Sequence, residues 1–392
     1  MHVALDGTAL GSGRGGDETL MRGLLGGLAE VASPQDRFSL YLPSRAGVPG
    51  SVARSPAFRV HRTPRLPGTL WYGIGFDARL ASSARSSSLV FSVTHAPVWT
   101  RLPTALMVTD LSFVRHPEHY PPATRRRLQA LVPRQARRAA AVLTLSEFCR
   151  QDIVDAFGLS PQKVFVVPCA PEPPHPLSDH ERDRAERWMQ AQSIRPPFFL
   201  YLGNLHPRKN VPKLIRSFLR ARASSPAVAG HRLVVAGARW WGDEEVAESS
   251  AAPPGTVHLV GRVDQAQREH LLRSAAALAY PSLFEGFGLP PLEAMARGTP
   301  VLTSTAGAIP ETVGDAALLV DADDPDAIAG GLVRLAEDSL LCRELVTRGR
   351  LRAATFTPAR TASDAMRAFQ AALGDGGGRA GAGRVRDAAS AP

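Results

Sequence analysis

Two loops of this chain carry residues whose types and spacing can do chemistry. The first is Gly203-Asn204-Leu205-His206-Pro207-Arg208-Lys209-Asn210, between an apolar run (FFLYL) and a helix expected from about Val211 to Ala223. A glycine turn, a helix start and two adjacent cations make a trap for phosphate, because bare N–H groups, the helix dipole and both side chains favour negative charge. A basic helix entrance without a ligand is the plainer alternative. The second loop lies in Pro281 to Glu311 and holds Glu285 and Glu293, with seven residues between them. Apolar runs before it (Ala275–Tyr280) and after it (Pro300–Thr303) read as strands. Glu285 then falls on a loop at the carboxyl end of a strand, where parallel sheets bind ligands, and Glu293 on the first turns of a helix. Two such carboxylates can accept hydrogen bonds from vicinal hydroxyls, as a sugar or a ribose presents. Gly286 and Gly288 let the backbone come close to a ligand. The alternative is a helix-capping acid beside a solvated one.

The elements that must position these loops are legible as a repeated strand–helix alternation. At 392 residues the chain exceeds one ordinary core and suits two domains. In the first half, strands are expected at His2–Asp6, Phe38–Leu42, Leu89–Ser92, Thr104–Val108, Ala141–Leu145 and Val164–Val167. Helices are expected from about Glu18 to Ala32, from Thr124 to Ala140 with an interruption at Pro133, and from Glu147 to Phe157 behind a Ser146 cap. Prolines 171, 173, 174 and 176, a charged helix from about Ser178 to Gln192, and Pro196-Pro197 have the composition of a linker. The first domain then covers 1–172, the linker 173–196 and the second domain 197–356, with strands at His231–Ala236, Val257–Val260 and near Ala317–Val320. Thr357-Pro358 starts a last helix, over 357–373, and the glycine-rich tail 374–392 is expected to be disordered.

Several function classes are excluded or weakened. No run of about 18 apolar residues exists, so no membrane span is expected. The opening MHVALDG is a strand rather than a signal peptide. Three cysteines far apart suggest neither a disulfide framework nor a zinc site, and fit a reducing cytoplasm. Asp321, Asp323, Asp324 and Asp326 read as a helix-capping turn rather than a metal site. Gly11, Gly13, Gly15 and Gly16 match a dinucleotide fingerprint, but the next strand ends in Pro43-Ser44-Arg45 with no acid for the ribose, which counts against a nicotinamide enzyme. The net charge is +10, with arginines at 125–127, 134, 137 and 138. That cluster attracts anionic phosphates or a membrane surface, or is a solvated helix face. Nucleic acid is not the expected partner, since few aromatics interleave with it. Trp240 and Trp241 lie in a loop, where they stack on a ligand or cover a domain edge.

EGFGLPPLEAMARGTPV followed by Pro310-Glu311 resembles the donor-site signature of family 4 retaining glycosyltransferases. The likeness extends over about Met1 to Leu373, more loosely in the first half. It implies the GT-B architecture, an α/β fold of two Rossmann-like domains facing each other across a cleft, with the helix over 357–373 returning to the first domain. It implies transfer of a sugar, mannose or a similar hexose, from a nucleoside diphosphate donor as co-substrate, without cofactor or metal. Glycan, lipid-linked and small-molecule acceptors all fit. By resemblance, Arg208 and Lys209 contact the donor's diphosphate, Glu293 the ribose and Glu285 the sugar hydroxyls. Gly286, Phe287, Gly288 and Leu289 line the sugar, Gly203 and Asn204 belong to the phosphate loop, and Arg262 and Val263 line the base pocket. Gly15 and Gly16 approach the acceptor or the phosphates. Family members carry a His-Asp pair where this chain has Thr109-Asp110. Asp110 is thus a catalytic candidate, while Thr109 cannot carry charge near neutral pH. His95 and His116 are nearby in sequence, but nothing in the resemblance assigns them the missing role. A sugar-nucleotide-binding protein with weak or no catalysis is the alternative that Thr109 supports.

Overall fold

The computed structural model describes residues 1–12, 15–64, 70–71, 75–83, 87–239 and 244–374. Gly13, Trp240, Trp241 and the tail from residue 375 lie outside the described residues. Strands β1 (His2–Asp6), β2 (Arg37–Pro43), β3 (Phe58–Thr63), β4 (Leu89–Val93), β5 (Thr104–Met107), β6 (Ala141–Thr144) and β7 (Val164–Val166) form one sheet, ordered β3-β2-β1-β4-β5-β6-β7. Strands β8 (Phe198–Leu202), β9 (Arg232–Ala236), β10 (Val257–Gly261), β11 (Ala277–Tyr280), β12 (Val301–Ser304) and β13 (Leu318–Val320) form a second, ordered β10-β9-β8-β11-β12-β13. All pairings are parallel. Parallel sheets need helices on both faces, which is why central strands such as LVFSV and FFLYL are buried at every residue. The parallel sheets are those the alternation predicts, and the α/β arrangement of two Rossmann-like domains is the one the resemblance implies.

In both sheets the strand order reverses direction once, between β1 and β4 and between β8 and β11. The loops leaving two such neighbours go to opposite faces and open a crevice at their carboxyl ends. In the second sheet those two loops are Gly203–Asn210 and Pro281–Gly288. The topology therefore brings together the two stretches that looked chemically capable.

Three local features differ from the sequence expectation. The edge strand β3 was not anticipated; its alternation of polar and apolar residues (FRVHRT) is only partly buried and resembles a loop. The helix Pro122–Arg138 runs through Pro133 unbroken, because Val132 and Ala136 anchor it in the core on either side of the lost hydrogen bond. The helix expected within the linker, Asp179–Ala191, packs on the second domain: Ala185 and Met189 are buried, and Arg184 reaches Asp264 at 3.2 Å. The last helix, Pro358–Gly374, includes Gly374 and lies on the first domain. A Cβ on Gly27 would meet the Pro358 carbonyl oxygen at 1.9 Å, Thr361 Oγ1 donates to the Pro168 carbonyl (2.7 Å), and Phe369 meets Phe91 edge-on at 5.4 Å.

Candidate functional site

Glu285 is the hub of the crevice. It is 5% exposed, and its carboxylate takes four donors. Oε1 accepts from Lys209 Nζ (2.5 Å), Tyr280 OH (3.0 Å) and Ser282 Oγ (2.6 Å), and Oε2 accepts from Arg208 Nη1 (2.9 Å). The two loops are also stitched through backbone: Arg208 Nη1 donates to the Phe284 carbonyl (2.7 Å), and Leu283 N donates to the Arg208 carbonyl (2.8 Å). Asn210, with φ 63°, donates its amide to the carbonyls of Pro281 and Ala322. Gly203 is tightly backed, since a Cβ on Gly237 would fall 1.7 Å from its carbonyl oxygen.

The charges of this cluster are set by competition between burial and pairing. Burial would raise the Glu285 carboxyl, but Arg208 and Lys209 outweigh it and hold it down to about 2. Burial opposes the charge on Arg208, yet Glu285 and Asp110 raise it well above its ordinary value. Burial and the neighbouring Arg208 bring Lys209 down to about 8, against the pull of Glu285, so it remains an ammonium at neutral pH. His206, lowered to about 3 by burial and these two cations, is neutral; its Nδ1 accepts from Arg208 N at 3.2 Å. The pair Arg208 and Lys209 is thus met by Glu285 of its own domain and by Asp110 of the first, whose Oδ2 lies 3.8 Å from Arg208 Nη2.

Asp110 comes from the first domain, at the end of β5. Its Oδ1 accepts from Ser112 N (2.8 Å) and Ser112 Oγ (2.5 Å), which fixes the turn. The domains meet at Gly286. A Cβ there would lie 2.3 Å from the Thr109 carbonyl oxygen and 2.7 Å from Asp110 Cβ, so only glycine lets the two backbones touch. Ser146 Oγ donates to the Gly286 carbonyl at 2.9 Å while capping the helix Glu147–Phe157 through Cys149 N. From the other domain, Glu311 accepts from Glu147 N (2.8 Å) and Phe148 N (3.0 Å), so its carboxylate also caps that helix.

The other expected site residues divide. Glu293, buried on the helix Leu289–Ala296, pairs with Arg268 at 2.5 Å rather than with the Glu285 cluster. Gly288 caps that helix with φ 110°, and Phe287 packs inward, edge-on to Phe356 at 5.5 Å. Asn204 is held by Tyr201 OH on its carbonyl (2.9 Å). Arg262 and Val263 follow β10 at the sheet's edge, two strands from β8. Gly15 and Gly16 form the exposed first turn of the helix Gly15–Val31, with open space around both. His95 follows β4, and His116 meets Phe284 edge-on at 5.2 Å. Tyr280, Ser282, His206 and Arg268 are site residues that motif reading missed. Of these only Tyr280 carried a local signal, a hydroxyl closing an apolar strand.

The acidic turn is structural: Asp324 caps the helix Pro325–Glu337 through Asp326 N and Ala327 N, and Asp323 pairs with Lys213 at 2.9 Å. Among the described residues, His116, Glu118 and His119 bring ligand-type atoms within 4.8 Å of one another. The two imidazoles are stacked nearly parallel, at 9°, so their in-plane lone pairs do not converge on a common point. On the helix Pro122–Arg138, Arg126, Arg127, Arg134, Arg137 and Arg138 are exposed, and none forms an ion pair among the described residues. No described helix is long and apolar enough to cross a membrane.

Residues 184–352 match the model of the glycosyl transferases group 1 family. The chain is 30% identical over 259 residues to an O-antigen chain mannosyltransferase B of Escherichia coli, covering 63% of this chain and 65% of that protein. It is 31% identical over 225 residues to an MMP alpha-(1->4)-mannosyltransferase of Mycolicibacterium hassiacum, covering 56% of this chain and 51% of the relative. The chain thus spans less than two thirds of the length of either relative. Among solved structures, a sucrose-phosphate synthase of Thermosynechococcus elongatus superposes with a TM-score of 0.70 at 18% identity, over 96% of this chain and all of that one.

Removing the hub's charge leaves two buried cations without their main partner, a loss of about 3–5 kcal/mol for a broken buried pair. Glu285→Gln is therefore expected to lower stability by about that much at pH 7, measured by urea unfolding. The folded carboxyl titrates at about 2, below its ordinary 4.5, so this contribution is complete above 4.5 and lost as pH falls towards 2. The gap between wild type and variant should close over that window; a gap below about 1 kcal/mol at pH 7 contradicts the hub.

Proposed function

We propose that this chain, whose second domain is a group 1 glycosyl transferase domain, transfers a hexose from a nucleoside diphosphate sugar to an acceptor hydroxyl with retention at the anomeric carbon. The observation that carries this reading is the pairing of Arg208 and Lys209 on one acid at the switch point of the second sheet. A donor's diphosphate brings more negative charge than Glu285 and suits both cations better. As the bond from the anomeric carbon to the β-phosphate oxygen breaks, charge grows on that oxygen, and the two cations are already fixed beside it. The acceptor oxygen bonds to the same face of the sugar, and its proton goes to the departing phosphate. No protein nucleophile or base is then needed, so Thr109 is compatible with turnover. Glu285, released from the cations, accepts from the sugar hydroxyls, and Glu293 from the ribose. Contact between the domains at Gly286 excludes water from this step.

Two mannosyltransferases among the relatives, one named for the O-antigen chain, support mannose as the sugar and a glycan acceptor. Incubation with UDP-, GDP- and dTDP-sugars and candidate acceptors tests the reading. Nucleotide release from one donor is expected, with kcat reduced roughly 10²–10³-fold in Lys209→Ala. The product's anomeric configuration, read by NMR, should match the donor's; an inverted product contradicts retention. Tight donor binding without turnover across that panel would instead favour a binding protein that has lost catalysis at Thr109.

The unpaired arginine face of Pro122–Arg138 is the surface we assign to an anionic acceptor or a membrane. Charge reversal at Arg125–Arg127 should then abolish low-salt binding to anionic liposomes. Wild-type protein that ignores such liposomes would show the face to be merely solvated.

A further inference from the structure

Glu293 is buried on the helix Leu289–Ala296, and what holds its carboxylate comes from elsewhere in the chain. Arg268, on the helix Gln265–Ser274, places Nη2 at 2.5 Å from Glu293 Oε2. The same guanidinium places Nη1 at 2.6 Å from Glu172 Oε2, on the segment that joins the two domains. Burial works against the charge of Arg268, but Glu293 and Glu172 outweigh it and raise its pKa above the ordinary value. Beneath this pair, Arg297 fixes the scaffold. Its side chain is 1% exposed; Nε donates to Glu269 Oε2 (2.7 Å), and Nη1 to the carbonyls of Glu293 (3.0 Å) and Glu172 (3.2 Å).

A planar guanidinium with one arm on each of two carboxylates cannot rotate without breaking one of them. Arg268, itself held by Glu172, therefore anchors one oxygen of the Glu293 carboxylate. Oε2 is taken by Arg268, which leaves Oε1 as the carboxylate's second acceptor. A carboxylate held in this way receives two neighbouring hydroxyls better than one that turns freely, because the orienting cost is met before the ligand arrives.

Resting on the reading that Glu293 faces the donor's ribose, we propose that Arg268 is a positioning residue for ribose recognition. Through Glu293 it makes the site select a nucleoside diphosphate with an intact 2′,3′-diol over its 2′-deoxy counterpart. A purely structural Arg268 would affect folding and affinity for both nucleotides alike. The selective role affects their ratio, since a site built to bond a hydroxyl discriminates against the ligand that lacks it.

The test is calorimetric binding of UDP, GDP and their 2′-deoxy forms to the full chain. Wild type is expected to prefer the ribonucleotide by about tenfold or more. Arg268→Leu should bring that ratio close to one, mainly by weakening the ribonucleotide. Arg268→Lys keeps the charge but cannot serve two acids, and should reduce the ratio at least threefold; it stands in if Arg268→Leu does not fold. A wild-type preference that survives in either folded variant overturns the proposal, as does a wild type that binds both forms equally. Wild type that binds no nucleoside diphosphate at all overturns the reading of the donor site itself.

Discussion

One buried carboxylate between two buried cations organises this protein's second domain. Glu285 cannot be ionised in a nearly dry position without Arg208 and Lys209, and neither cation is affordable there without Glu285. The dependence reaches into the backbone. The cations come from the loop after β8 and the acid from the loop after β11, two strands that are hydrogen-bonded neighbours. The sheet register thus fixes how far apart the charges are. Tyr280 and Ser282 satisfy the remaining capacity of Oε1, so the unit is closed on its protein side.

The first domain touches this unit through backbone, polar and ring contacts. Gly286, next to the hub, has no room for a side chain because the Thr109–Asp110 backbone occupies it. Two polar contacts flank that meeting: Ser146 on the Gly286 carbonyl, and Glu311 on the exposed N–H groups of the helix Glu147–Phe157. The chain crosses between domains near Glu172 and again before Pro358, and the first crossing is tied by Arg268 and Arg297 to the helix that bears Glu293. The Glu285 cluster, the domain contact and the crossing near Glu172 are therefore built from neighbouring residues rather than from separate devices.

What was legible in the sequence was local. The β/α alternation, the glycine turn before Arg208 and the spacing of Glu285 and Glu293 are all carried by residues close together in the chain. The doubly wound sheets follow from them. Partners far apart in sequence were not legible. Arg268 stands 25 residues before Glu293 on another helix, and Glu172 a further 96 before Arg268, with no shared periodicity to connect them. The role of Gly286 was likewise hidden. A glycine beside an acid suggests backbone approach to a ligand, whereas here the approaching group is the backbone of the other domain. Pro133 misled because proline's local cost was visible and the tertiary anchoring by Val132 and Ala136 was not.

The central claim is that Arg208 and Lys209 form a diphosphate site for which Glu285 is the resident counter-ion. Titration calorimetry of a nucleoside diphosphate against the matching monophosphate measures this most directly. The second phosphate gains charge-assisted hydrogen bonds of about 1.5–3 kcal/mol, so the diphosphate should bind roughly 10- to 100-fold more tightly. Equal affinity for the two nucleotides would contradict the account.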